Sequence, residues 1–577
     1  MIFNPHSRRN PVRLVGEKSS SFDLARGRLV LLSGIFVLIY MLLAARAVDL
    51  TVIQSSVRSD EKAGNEKVVS DKPALSEHVT RGDIFDRNGT LLATTLKTPT
   101  LYVDPKHVSD QALASKNLAL LFPDLKEKEV LHKMQSQKRF VLLRRDLNPQ
   151  EQLDVLRLGE PGLGFKYEER RVYPQGSLMA HMVGYTNIDN QGLAGIERSY
   201  QDVLQTGQPL ELTLDVRLQH ALRREIKRAM QEFSAIGGAG LIMDVTNGQI
   251  LAGVSMPDFD PQAVGETDPD KIFNRLTLGA YELGSVFKIF STAAFLETHD
   301  VPMSTSFDAS EPIRSGGFVI NDFHAENRVL TIPEVFMHSS NIGSAMMGLA
   351  VGGEKLKSFY QDLGLTTPMK FDISEMGRPS VPSPWRELTT ITSAYGHGIT
   401  TTPLQMASAV GTVVNGGTRV TPSLVMKTVD ESSVAQTPDG VRILSEKTSH
   451  RLRQLMRLVV ADGTGSKADV PGYNVGGKTG TAEKIKVGGY DKNKLISSFV
   501  GMFPSEAPRY VVFIMIDEPK GTKESFGYAT AGWVAAPAVA RVVASMTSIL
   551  GIPPEDTAPE KDIASSLRQF VAVKKHD

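Results

Sequence analysis

The sequence predicts an α+β protein built from more than one folded unit. Three observations carry this. The chain has 577 residues, too many for a single hydrophobic core. Strand-like apolar runs flank its second half, 239–245 and 250–255 at one end, 498–503 and 510–516 at the other. Between them the pattern turns helical, over 286–296 and 335–349, which fits helices layered on a sheet.

In chain order, the first feature is an uncharged apolar run at 29–45, LVLLSGIFVLIYMLLAA. It has no polar face, and Ala47 and Val48 extend it past Arg46, so 29–48 is expected to span a membrane. Arg8, Arg9, Arg13, Lys18, Arg26 and Arg28 precede it against Glu17 and Asp23, which keeps residues 1–28 in the cytoplasm. Ala45-Arg46-Ala47 resembles a signal-peptidase site, but the apolar run is longer than a usual signal core, so the segment reads as a retained anchor. Residues 49–80 are polar and read as a stalk. Asn88-Gly89 marks a hairpin turn between apolar runs. Residues 108–160 read as short helices, and the Gly-rich 161–214 as extended segments and turns.

Asp215 is a good N-cap for a helix carrying Leu218, Leu222, Ile226, Ala229, Met230 and Phe233, which Gly237-Gly238 is expected to end. That puts a boundary at 235, with 49–235 as one unit and 236–553 as a second. Residues 554–577 read as a loose tail.

Composition narrows the function. Sixty-four basic residues balance 64 acidic ones, which gives no support to nucleic-acid binding. The absence of cysteine excludes disulfides, thiolate metal sites and a cysteine nucleophile.

Three short strings carry the chemistry. Ser285-Val286-Phe287-Lys288 opens an apolar stretch that reads as a buried central helix. Ser285 and Lys288 share a face of its first turn, where free N–H groups favour a developing oxyanion. Burial of Lys288 would disfavour its ammonium and leave an amine able to take the serine proton. Ser339-Ser340-Asn341 lies early in the second helical stretch. Its Ser339 hydroxyl suits a proton relay, and the Asn341 amide suits contacts with Lys288 and a substrate carbonyl. Lys478-Thr479-Gly480-Thr481 sits on an extended run whose glycines admit another backbone. Lys478 and Thr479 suit a carboxylate, and the Thr481 N–H would pair with that of Ser285 as an oxyanion hole. Taken alone, the first two strings have ordinary explanations, a helix start and a capping cluster. A phosphate loop is excluded because the Gly-x-x-x-x-Gly-Lys-Ser/Thr spacing is absent.

Taken together, in this order, the strings resemble the motif set of the class B penicillin-binding proteins. Arg81-Gly82-x-Ile84-x-Asp86-Arg87-Asn88-Gly89, Arg171-x-Tyr173-Pro174-x-Gly176, Gly192-x-x-Gly195-x-Glu197 and Thr402-Pro403-Leu404-Gln405 add to the resemblance. It implies a single anchor, a β-rich non-catalytic pedestal, and a transpeptidase domain with a central antiparallel sheet flanked by helices, as in serine β-lactamases. It implies a peptidoglycan D,D-transpeptidase that cross-links stem peptides through a serine acyl-enzyme and is a target of β-lactams. Ser285 is then the nucleophile, Lys288 the base, Ser339 and Asn341 the relay. Lys478, Thr479, Gly480 and Thr481 then form the substrate-binding strand. No metal or cofactor is implied. The implied partners are peptidoglycan strands, a membrane glycan polymerase and other division proteins, at the inner membrane with the catalytic domain periplasmic.

Tyr281-Glu282-Leu283-Gly284-Ser285 resembles the approach to the serine in the cell-division branch, with Leu283 where proline is usual. An elongation-type enzyme and a non-catalytic β-lactam sensor are the alternatives. The 28 residues before the anchor are too few for an output domain, which argues against the sensor. A class A β-lactamase is disfavoured because no Glu-x-x-Leu-Asn string lies between Asn341 and Lys478.

Overall fold

The computed structural model describes residues 79–426, 440–486, 489–555 and 562–572, together with Gly34, Val37, Tyr40 and Met41. The expected membrane segment at 29–48 otherwise falls outside the described residues. Among those described, no helix is long and apolar enough to cross a membrane.

The first unit is built on a sheet of β1 (Ile84–Phe85), β2 (Leu91–Val103), β3 (Val141–Arg144), β4 (Leu163–Val172) and β5 (Leu210–Glu211), with β2 pairing β1, β3 and β4. Gly89, at φ +78°, turns the β1–β2 hairpin where Asn88-Gly89 predicts it. Helices α1 (Gln111–Leu121), α2 (Glu127–Met134) and α3 (Pro149–Arg157) enclose a small core of Leu118, Phe122, Val130, Met134 and Val155. Short helices at Gly195–Ser199 and Gln201–Gln205 lie where only extended chain and turns are expected.

The motifs singled out in this first unit converge. Glu197, fully buried, accepts from Arg81 Nε at 2.7 Å and from Arg171 Nε at 2.6 Å. Asp86 accepts from the backbone of Asn88 and Thr90 at 2.8 Å and from Val216 N at 3.1 Å. The hairpin is thereby tied to the start of α4 (Val216–Glu232), which Asp215 caps through Arg217 N.

The second unit is a five-stranded antiparallel sheet. Its strands are β6 (Gly237–Asp244), β7 (Ile250–Met256), β8 (Gly476–Lys486), β9 (Gly489–Phe503) and β10 (Tyr510–Asp517), in the order β8-β9-β10-β6-β7. Strand β10 is apolar throughout because both its faces are covered. Val511, Phe513 and Met515 join one core with Phe287, Phe290 and Val410, whereas Val512, Ile514 and Ile516 join another with Leu222, Ile226 and Val542.

Three readings are corrected. Gly237 and Gly238 begin β6; the helix before them already ends at Phe233, followed by Ser234 at φ +46°. The stretch 335–349 is two helices, α5 (Ile332–Met337) and α6 (Asn341–Val351), with Ser339 at φ +59° in the break. Residues 562–572 are not loose: Asp562 pairs with Arg457 at 2.9 Å, and Phe570 O accepts from Thr331 Oγ1 at 2.7 Å.

Candidate active site

The nucleophile candidate Ser285 lies in a 3-10 turn, Gly284–Phe287, that runs directly into the helix Lys288–His299. That helix is buried from Lys288 to Leu296, as its all-round apolar sequence requires. Ser285 itself is half-buried. Its turn packs on strand β8. A Cβ added at Gly480 would lie 2.4 Å from Leu283 O, and one at Gly284 would lie 2.7 Å from Thr481 O. Glycine at these two positions is what lets the turn and the strand touch.

The other candidates share one hydrogen-bond network. Lys288 Nζ, fully buried, donates to Ser339 O at 2.5 Å, Asn341 Oδ1 at 2.8 Å and Ser339 Oγ at 3.1 Å. Lys478 Nζ, also fully buried, donates to the same Ser339 Oγ at 3.0 Å and to Thr479 O at 3.2 Å. Residues from three remote strings therefore meet at one hydroxyl. Thr481 faces elsewhere with its side chain, whose Oγ1 accepts from Ala531 N at 3.1 Å.

Burial sets the protonation of both lysines. It holds the Lys288 ammonium well below the usual lysine range, and the neighbouring Lys478 pushes the same way against a weaker opposing pull from Asp322. Burial lowers Lys478 to about 7. Two ammonium groups sharing one hydroxyl repel, which adds to the lowering of Lys288.

Two side chains were missed by sequence reasoning. Asp322 accepts from Ser340 Oγ at 2.7 Å, Asn341 N at 2.5 Å and Ile342 N at 3.0 Å, so it anchors the start of α6 and with it Ser339 and Asn341. Thr464 Oγ1 lies 2.9 Å from Thr479 Oγ1 and adds a second hydroxyl beside Lys478. The adjacent polar residues Asn321-Asp322 and the Gly463-Thr464-Gly465 turn are the sequence signals that mark them. Among the described residues no cluster suited to a metal ion occurs.

Residues 238–543 match the family model for the penicillin binding protein transpeptidase domain, and residues 76–219 that for the penicillin-binding protein dimerisation domain. The chain is 40% identical to a probable peptidoglycan D,D-transpeptidase FtsI of Caulobacter vibrioides, over 82% of each. It is 33% identical to stage V sporulation protein D of Bacillus subtilis, covering 83% of this chain and 80% of that one. Penicillin binding protein 3 from Mycobacterium tuberculosis, complexed with ampicillin, superposes with a TM-score of 0.67 at 26% identity, covering 84% of this chain and 98% of the other.

Proposed function

The chain belongs to the penicillin-binding protein transpeptidase family, and from that premise we propose that it is a peptidoglycan D,D-transpeptidase of the cell-division type. Ser285, Lys288, Ser339, Asn341, Lys478 and Thr479 are its working residues in this reading. The observation that carries it is the Ser339 hydroxyl, 3.1 Å from one buried amine and 3.0 Å from another. Such an arrangement moves protons; it has no evident use in packing.

The donor is a stem peptide ending in D-Ala-D-Ala. Lys478 and the Thr479 hydroxyl, with Thr464 beside it, hold its terminal carboxylate. Ser285 Oγ attacks the penultimate carbonyl carbon, and neutral Lys288 takes the serine proton. The N–H groups of Ser285 and Thr481 stabilise the oxyanion. The proton then passes through Ser339 to the departing D-Ala amine, leaving an acyl-enzyme. The amine of a neighbouring stem attacks that ester and restores Ser285. A β-lactam mimics the donor and is held as a stable ester.

Residues 29–48 form the membrane anchor in this reading, supported by their apolar run and the basic residues before it. Cross-linking consumes glycan strands, so a membrane glycan polymerase and other division proteins are the partners. Purified protein is expected to release D-Ala and join stems when given pentapeptide-bearing strands. Ser285→Ala should do neither, and a tagged copy should collect at midcell. Cross-linking by the Ala variant, or dispersed sidewall fluorescence, would contradict the respective part.

A further inference from the structure

Glu282, three residues before the nucleophile, is 6% exposed and lies where three remote segments meet. Its Oε1 accepts from Gly398 N at 3.0 Å and from Tyr490 OH at 3.3 Å. Its Oε2 is buried without a hydrogen-bond partner among the described residues. The Gly398 segment runs beside the nucleophile's turn. Tyr281 and Thr401 exchange backbone hydrogen bonds at 2.9 and 3.0 Å, and a Cβ added at Gly396 would lie 2.1 Å from Gly284 O. Tyr490 belongs to the far end of the β8–β9 hairpin, paired with Ile485 on the strand that also carries Lys478.

Between these segments stands His397. Its ring lies 5.2 Å from Tyr395 and 5.3 Å from Tyr490. Thus one carboxylate oxygen connects the turn bearing Ser285, the loop bearing His397 and the hairpin bearing the carboxylate-binding strand.

We propose that Glu282 is a positioning residue for acylation: by gripping Gly398 N and Tyr490 OH at once, it fixes the His397 ring and the β8–β9 hairpin against the turn that presents Ser285. The grip needs only an acceptor oxygen, not a charge. Burial raises the Glu282 carboxyl to about 7, against the pull of those two donors. The titratable groups around it are Tyr490 on the hairpin and Tyr395 and His397 on the loop, with Lys288 beyond His397. None is an acidic side chain that would hold the proton in its place.

The inference rests on Ser285 as the nucleophile. Labelling of Ser285→Ala is the control that separates failure of that reading from failure of this one. The experiment measures acylation of the full chain by a fluorescent penicillin, resolved into the encounter constant and the acylation rate constant, with the melting temperature of each variant alongside. Glu282→Leu removes the acceptor at similar volume and is expected to slow the acylation step at least about tenfold. Glu282→Gln keeps an acceptor oxygen and should restore it to within about threefold of the starting protein. Tyr490→Phe loses one donor and should slow the same step about fivefold, with no further loss when added to Glu282→Leu. Unchanged acylation in Tyr490→Phe overturns the proposal, and so does a Gln variant that folds but is as slow as Leu. If Glu282→Leu does not fold, unchanged acylation in Tyr490→Phe still overturns the proposal, and so does a folded Glu282→Gln that acylates at least about tenfold more slowly than the starting protein.

Discussion

At the scale of single residues, the site depends on protons more than on shape. In the proposed mechanism Lys288 must be empty to accept from Ser285, whereas Lys478 must be charged to hold a carboxylate. Lys478 is lowered to about 7, so in the free enzyme its charge is present below that value and lost as pH rises through it. Lys288 lies well below its usual range, which favours the empty form the serine proton needs. The second-order rate constant for acylation by penicillin should therefore have a descending limb near pH 7, and Lys478→Arg should shift that limb upward. A rate that climbs steadily to pH 9 would contradict the division of labour. Ser339 gives a cleaner separation of chemistry from backbone strain. It occupies the left-handed region at φ +59°, which glycine adopts without cost. Ser339→Gly should therefore melt close to the starting protein yet acylate about a hundredfold more slowly. Rapid labelling of that variant would remove the hydroxyl from the relay.

At the scale of elements, the break between α5 and α6 is the decisive local structure. Asp322 holds it by accepting three hydrogen bonds at the start of α6. Asp322→Ala is expected to cost about 1–2 kcal/mol in a melting experiment and to slow acylation, because Ser339 and Asn341 lose their anchor. A variant that melts lower but acylates at full rate would show that the anchor serves stability alone. This element also shows where the sequence is opaque. The apolar pattern from Val335 to Met347 runs on without a glycine or proline at 338–340, so periodicity merges two helices into one. Gly237-Gly238 misleads for the opposite reason: glycine serves a strand packed under α4 as well as a helix stop, and an added Cβ at Gly238 would lie 2.8 Å from Ile226 of α4, one at Gly237 2.4 Å from the Arg275 guanidinium, contacts that exist only in the folded chain. Strand β10 and the buried Ser285 helix were legible because burial on all sides leaves one readable signature, an unbroken apolar run. The three strings were legible as chemistry; Asp322 and Thr464 were not, since each acts through a contact with a residue distant in sequence or in another element.

At the scale of the whole molecule, a buried ionic triad organises the first unit. Glu197 lies between Arg81 and Arg171, which are 90 residues apart in sequence. Glu197→Ala would leave two buried guanidinium groups uncompensated and should cost about 3–5 kcal/mol. Denaturant unfolding checks this, and a change below about 1 kcal/mol would show that water replaces the carboxylate. The larger claim is that strings some 50 and 190 residues after the nucleophile's own fold back so that Lys288 and Lys478 meet at the Ser339 hydroxyl, and, in the proposed reaction, that Ser285 alone is acylated. Mass spectrometry of the intact chain after exposure to penicillin, followed by identification of the modified peptide, tests this most directly. The account predicts one adduct of the full antibiotic mass, on the peptide containing Ser285, and none on Ser285→Ala. An adduct on another residue, or an equal one on the Ala variant, would contradict it.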